Sequence, residues 1–242
     1  MNYFDKKRKY LINSKKTDEY IKDGLQLWID GIENTREGHS SNALLNLKDL
    51  SGNNYDFSIA YGNTITPENN CLPFNSSIYV CSNEYLKELL SELKERTIEI
   101  VCEIDDSNTT AKTILMGAKS GGASFGVGMW YRPASKGMCI SSVTSNASII
   151  SDITKPHTYS AVYDAVSYNN TKFYQNNVLC SKTTGGNMAN SNFVTIGGRY
   201  YSDNYTNYRF YGKIYCIRVY DRQLTQEERE HNRRIDKERF GI

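Results

Sequence analysis

The stretch GKIYCIRVYDRQLTQEE at residues 212–228 changes character at its middle. Before Asp221 it is aromatic and β-branched, and after Leu224 it is polar and acidic, so a strand must stop and a helix must start between them. Phe210, Ile214, Cys216 and Tyr220 alternate with Tyr211, Tyr215, Ile217 and Val219, which leaves both faces apolar, as in a strand covered on two sides. Thr225 followed by Glu228 is a capping-box pattern, and Glu227 and Glu228 suit the positive end of a helix dipole. Leu224 and Ile235 are the chief apolar anchors of this helix, which reads as a lid tucked on a sheet.

Upstream segments extend the same pattern. GLQLWID at residues 24–30 sets Leu25, Leu27 and Ile29 against Gln26, Trp28 and Asp30, a strand with one oily face. RTIEIVCEIDD at residues 96–106 sets Ile98, Ile100, Cys102 and Ile104 against Glu99, Val101, Glu103 and Asp105, a half-buried strand. Further short apolar runs are separated by spacers such as KSGGA, SYNN and TTGGN. Nineteen Tyr and seventeen Gly against four Pro fit a sheet protein rich in turns. One short helix interrupts the series, where NEYLKELLSELKER places Leu86, Leu89, Leu90 and Leu93 on one stripe. Many short strands with two helices predict an antiparallel sandwich rather than βαβ units. Residues 1–22 read as a basic N-terminal arm, with Lys6, Lys7, Arg8, Lys9, Lys15 and Lys16, and residues 23–242 as one domain.

A formal net charge of +2 gives no footing for nucleic-acid binding. No run approaches the roughly 18 apolar residues of a membrane span, and the opening residues lack the apolar core and cleavage site of a secretory signal. Six cysteines without a CxxC pair read as buried free thiols made in a reducing cytoplasm, with a Cys71–Cys81 bridge as the leading exception.

The ordered set GLQLWIDG, KDLSGNNYDF, RTIEIVCEI, HTYSAVYDA with KFYQNNVL, FVTIGG and FYGKIYCIRVYDRQLTQEE resembles the laminin-G-like, concanavalin A-like lectin/glucanase superfamily over residues 23–236. The resemblance implies an all-β, antiparallel jelly-roll sandwich with the inserted helix and the C-terminal helix attached. It also implies that the termini lie close together and that the last strand pairs near the first.

The superfamily's retaining hydrolases carry an E-x-D-x-x-E arrangement. Here Glu103 and Asp105 match its first two acids, but Asn108 stands where the third would be, so no catalytic residue is assigned. His39, His157 and His231 lack a nucleophile elbow nearby. Lectin and laminin-G folds often bind calcium at loop tips, and Asp105, Asp106 and Asn108 form the candidate tip for a possible calcium ion, with Asp203, Asn204 and Asn207 as another oxygen-rich loop. The ligand-binding candidates are two aromatic groups read as loops. One is Trp130, Tyr131 and Arg132; the other is Arg199, Tyr200, Tyr201, Tyr205 and Tyr208 before the last strand.

The expectation is a noncatalytic module that binds a surface glycan or protein, without nucleic acid and without membrane insertion. With Met1 and no export signal, release by lysis is the simplest route outward, and a bacteriophage virion surface component is expected, anchored to the larger particle through the arm. The alternatives are a capsid or tail decoration protein with no glycan ligand and a glycoside hydrolase of the same fold.

Overall fold

The computed structural model describes residues 19–75, 81–83, 90, 95–107, 112–118, 125–140, 146–148, 152–164, 170–182, 193–198 and 208–242. In chain order the strands are β1 (Leu25–Asp30), β2 (Asn46–Leu47), β3 (Phe57–Ile59), β4 (Leu72–Phe74) and β5 (Cys81–Asn83). They continue with β6 (Arg96–Ile104), β7 (Lys112–Ala118), β8 (Phe125–Arg132), β9 (Gly137–Ile140) and β10 (Asn146–Ser148). Last come β11 (His157–Tyr163), β12 (Lys172–Gln175), β13 (Val178–Lys182), β14 (Phe193–Ile196) and β15 (Gly212–Tyr220), before the C-terminal helix (Gln226–Phe240). The arm's residues 1–18 and most of the expected inserted helix lie outside the described residues.

Two antiparallel sheets pack face to face. The first has the order β1-β15-β6-β11-β12-β13, with β4 also on β15, and the second β10-β9-β8-β7-β14-β5-β3-β2. Ile98, Ile100, Cys102, Ile214, Ile217 and Val219 of the first sheet share one core with Val127, Met129, Met138 and Val194 of the second. The expected sandwich is therefore present, and β15 lies between β1 and β6, so the last strand pairs with the first.

Two strands depart from simple alternation. The register of β15 against β6 slips between Ile214 and Cys216. A bulge of this kind re-aims the residues beyond it. As a result Ile214, Ile217 and Val219 face the core, while Tyr215 and Cys216 join a second cluster under the helix. Strand β6 is not half-buried: Thr97, Glu99 and Val101 on its outer face are as buried as its isoleucines, because the C-terminal helix covers them. At the start of β15, a Cβ on Gly212 (φ 144°) would stand 2.1 Å from the Glu103 carbonyl oxygen, which explains the glycine that opens the closing motif. Gly212→Ala is expected to cost about 1–3 kcal/mol, seen as a lower urea midpoint with an unchanged slope.

The helix begins with the expected capping box between Thr225 and Glu228 and ends at Gly241 in the left-handed conformation. Of its four buried residues, Arg229, Asn232, Ile235 and Asp236, only one is apolar. Polar bonds therefore dock it. Arg218 reaches both oxygens of Asp236 at 2.7 and 2.8 Å and donates through Nε to Glu99 at 3.1 Å. Asn232 Nδ2 donates to Glu99 at 2.7 Å, and the Tyr20 hydroxyl donates to Asp236 at 2.8 Å. Arg218, Glu99 and Asp236 are all 0% exposed. Tyr20 is itself buried and Ile21 N bonds Asn232 Oδ1, so packed structure begins before the boundary expected at residue 23.

Cys71, Cys102, Cys139 and Cys216 are free buried thiols and Cys180 is free and half-buried. Burial pushes Cys71 up to about 12, and its Sγ lies 2.9 Å from the Glu68 carbonyl rather than in a bridge.

Candidate functional site

The helix leaves one corner of the outer face uncovered. Alternation along β1 buries Leu25, Leu27 and Ile29 in the sandwich and turns Trp28 outward, where it is half-buried. The edge of Trp28 meets the Tyr20 ring at 5.4 Å and 79°. The Arg239 guanidinium, from the last turn of the helix, lies 6.0 Å from the Trp28 centroid and 5.7 Å from that of Tyr20.

The opposite wall is the loop after β1. Leu50 N donates to Trp28 O at 2.8 Å, and Trp28 N donates to Asp49 Oδ1 at 3.1 Å, so loop and strand are locked together. Asp49, fully buried, also accepts from Ser51 N, Ser51 Oγ and Tyr55 N, as Asp side chains do in turns. Arg36 donates through Nε to Asp49 O and pairs with Asp56.

Between these walls is a cavity of about 450 Å³, lined among others by Tyr20, Lys22, Trp28, Glu33, Arg36 and Arg239. That size suits a small ligand, for which cavities of roughly 300–1,000 Å³ are usual. Asp30, 0% exposed, stands behind it: Oδ1 accepts from Ile32 N and Glu33 N, and Oδ2 from Trp28 Nε1 and Arg239 Nη2. Lys22 places its ammonium 4.6 Å from the Trp28 centroid. Arg239 keeps a buried Nε with no partner. An apolar ring face, donors and acceptors thus line one cavity, a combination suited to a polyhydroxylated ligand.

The residues singled out from sequence lie elsewhere. Trp130, Tyr131 and Arg132 belong to strand β8 and not to a loop. Tyr131 is buried in the core and its hydroxyl donates to Asp106 at 3.1 Å, so it offers no exposed ring; Trp130 and Arg132 are half-buried on the other face. Arg199, Tyr200, Tyr201 and Tyr205 lie outside the described residues, as do Asp203, Asn204 and Asn207. Tyr208 is half-buried at φ 63°, and its carbonyl accepts from Thr113 N.

Of the calcium candidates, Asp105 accepts from Ser107 N and Asp106 from Tyr131, while Asn108 lies outside the described residues. Among the described residues no group of three or more His, Cys, Asp or Glu is placed to hold a metal. Glu103 and Asp105 do share a wider cleft of about 730 Å³. In it Glu103 pairs with Lys213 at 2.9 Å and accepts from the Tyr215 hydroxyl at 3.2 Å. The Lys213 ammonium is held above its ordinary value, chiefly by this bond. His157 bonds Asp152 O and His231 bonds Glu19 O, in separate parts of the fold.

Trp28 was the legible signal that sequence reasoning left unused. A Trp placed between Gln26 and Asp30 on the polar side of a strand is an exposed aromatic in search of a cover. Arg36 and Arg239, by contrast, are brought to it only by the fold.

Solved structures share this architecture. Trypanosoma rangeli sialidase, in complex with 2,3-difluorosialic acid, superposes with a TM-score of 0.61 at 14% identity over 88% of this chain and 33% of its own. The ligand-binding domain of botulinum neurotoxin serotype D, in complex with N-acetylneuraminic acid, gives 0.57 at 13% identity over 88% and 51%. Botulinum neurotoxin type C, from work on cell entry through two ganglioside molecules, gives 0.59 at 15% over 88% and 51%. The chain spans about a third of the sialidase and about half of the neurotoxin chains, and at these identities the likeness is one of fold. No curated protein sequence matches it. The family model of the concanavalin A-like lectin/glucanases superfamily matches residues 75–228, more than half of the chain, and the chain belongs to that superfamily.

Proposed function

We propose that the domain is a noncatalytic glycan-recognition module and that the cavity at Trp28 is its ligand site. The observation that carries this reading is the half-buried Trp28 ring in a cavity of about 450 Å³, with Glu33, Arg36 and Arg239 around it. Stacking of a sugar on an indole face, with charged groups bonding its hydroxyls, needs that set of groups. The reading is supported by the superfamily and by fold neighbours, one in complex with N-acetylneuraminic acid and one whose cell entry depends on interaction with gangliosides.

Lys22 covers the Trp28 face, but it is exposed, and its cation–π contact is worth only about 0.5–1 kcal/mol at such a site, so a sugar ring can displace it. Trp28→Ala is expected to weaken glycan binding by about 10-fold or more, equivalent to 1.4 kcal/mol or more, with the fold retained by circular dichroism. An unchanged array signal would rule the cavity out as the site.

A glycoside hydrolase is the second reading, because Glu103 and Asp105 face one cleft. Against it stand the Lys213 and Tyr215 bonds that hold Glu103. Reducing-sugar release that disappears in Glu103→Gln would establish it. Display on a particle such as a virion belongs to the proposal as its setting. Glu19, Tyr20 and Lys22 border the cavity, so an arm that anchors the domain has to leave that rim open.

A further inference from the structure

Resting on that reading, we infer that the cavity at Trp28 takes an uncharged pyranose and discriminates against carboxylated sugars, unlike the ligands named for its fold neighbours. The argument is a charge inventory. Lys22, Arg36 and Arg239 line the cavity, but so do Glu19, Glu33 and Asp49. Both guanidinium groups already face carboxylates, Arg239 that of Asp30 at 2.9 Å and Arg36 that of Asp56. Asp49 is consumed by backbone and Ser51 bonds.

What is left among the described residues that line the cavity is one ammonium without an ion pair, Lys22, against two carboxylates without one, Glu19 and Glu33. Among these lining groups a sugar carboxylate meets two unpaired carboxylates and one unpaired ammonium. Like charges at such range repel. An uncharged pyranose meets no such opposition. Its hydroxyls donate to the free carboxylate oxygens of Glu19 and Glu33, and its C–H face lies on Trp28 in place of Lys22. The same inventory sets Glu33 as a specificity residue. Its side chain has no bond to lose within the fold, and its own backbone N–H, with that of Ile32, is held in place by Asp30.

The test is titration of the full chain, and of Trp130→Phe so that Trp28 is the one indole read, with methyl α-glucoside, methyl α-mannoside, methyl β-galactoside, glucosamine and sialyllactose, followed by tryptophan fluorescence and repeated with Glu33→Gln and Glu33→Lys. The expected result is saturable binding of at least one neutral glycoside, about 10-fold weaker in Glu33→Gln, with sialyllactose gaining relative to it in Glu33→Lys. Preference for sialyllactose, or for protonated glucosamine, overturns the inference and leaves glycan recognition standing. Absence of binding in every arm, repeated on a glycan array, overturns the recognition reading and the inference with it. A thermal melt of each variant confirms that the comparison is between folded proteins.

Discussion

Arg218→Met is expected to lower the unfolding free energy at neutral pH by about 3–5 kcal/mol, the usual cost of leaving a buried charge without its partner. Arg218 lies in the middle of β15, 0% exposed, and is the cation that faces Glu99 and Asp236, both equally buried. Methionine fills most of the volume but satisfies neither carboxylate. Measured by urea denaturation, the variant should unfold at a markedly lower midpoint, and its C-terminal helix should exchange amide protons faster than β6. Adding Glu99→Gln and Asp236→Asn, which remove both negative charges, should recover at least half of the loss. Full stability in Arg218→Met alone would mean that apolar contacts dock the helix.

The same cluster sets a pH dependence. Burial pushes the Glu99 carboxyl above its ordinary range and Asp236 adds to the effect, while Arg218 and Asn232 oppose it. A carboxyl whose folded value exceeds its unfolded one binds a proton first in the folded state. Its contribution is therefore greatest below the unfolded value, about 4.3, and is lost as pH rises through the folded value. Glu99→Gln should remove that decline, so the gap between variant and native stability widens in the variant's favour as pH rises. Glu227 and Glu228, held below the ordinary range chiefly by backbone and Arg222 bonds, act in the opposite sense and lose stability as pH falls.

How much of this was legible depends on which residues carry local information. The β15 run and the Thr225 and Glu228 cap are local patterns, and both appear where the periodicity puts them. The bulge at Tyr215 is not local: it arises from pairing with β6, and it turned a simple alternation into the wrong division of faces. Arg218 and Glu99 look solvent-facing in sequence because a charged residue alone on a strand usually is. Only the helix, with Asn232 and Asp236 on its inner side, makes them core residues. A helix with so few apolar residues gives no hydrophobic stripe from which such docking could be inferred.

The site was harder to see for the same reason. Its walls come from residues near 20, 28, 36, 50 and 239, so no single window contains it. Tyrosine density drew attention to residues 199–208 and the WYR triplet to residues 130–132, yet density does not report exposure, and Tyr131 proved to be a core side chain. Trp28 carried a usable signal because strand alternation does report which face a side chain occupies.

Asp30→Asn is expected to weaken glycan binding by about 10-fold or more while leaving the protein folded, and the reason lies in an amide's donors. Asp30 uses all of its acceptor capacity: Ile32 N at 2.8 Å and Glu33 N at 3.1 Å on one oxygen, Trp28 Nε1 at 3.2 Å and Arg239 Nη2 at 2.9 Å on the other. An asparagine can replace one oxygen but brings an NH2 group in place of the second, and every neighbour on either side is a donor. The less costly orientation keeps the turn at Ile32 and Glu33 and leaves Trp28 Nε1 facing another donor, a loss of about 1–3 kcal/mol for the unpaired group. Arg239, 22% exposed, is partly repaired by water. Stability therefore falls less than in Arg218→Met, but the indole and the guanidinium that frame the cavity both lose the atom that positions them. Asp30→Ala removes all four bonds and should lose both stability and binding. The two effects separate in a comparison of Asp30→Asn with Arg218→Met, each assayed well below its own melting temperature. The first should bind poorly although folded, and the second should bind better than its stability suggests. If Asp30→Asn binds glycan as the native protein does while Trp28→Ala does not, the ring is held by its packing against Tyr20 and not by Asp30.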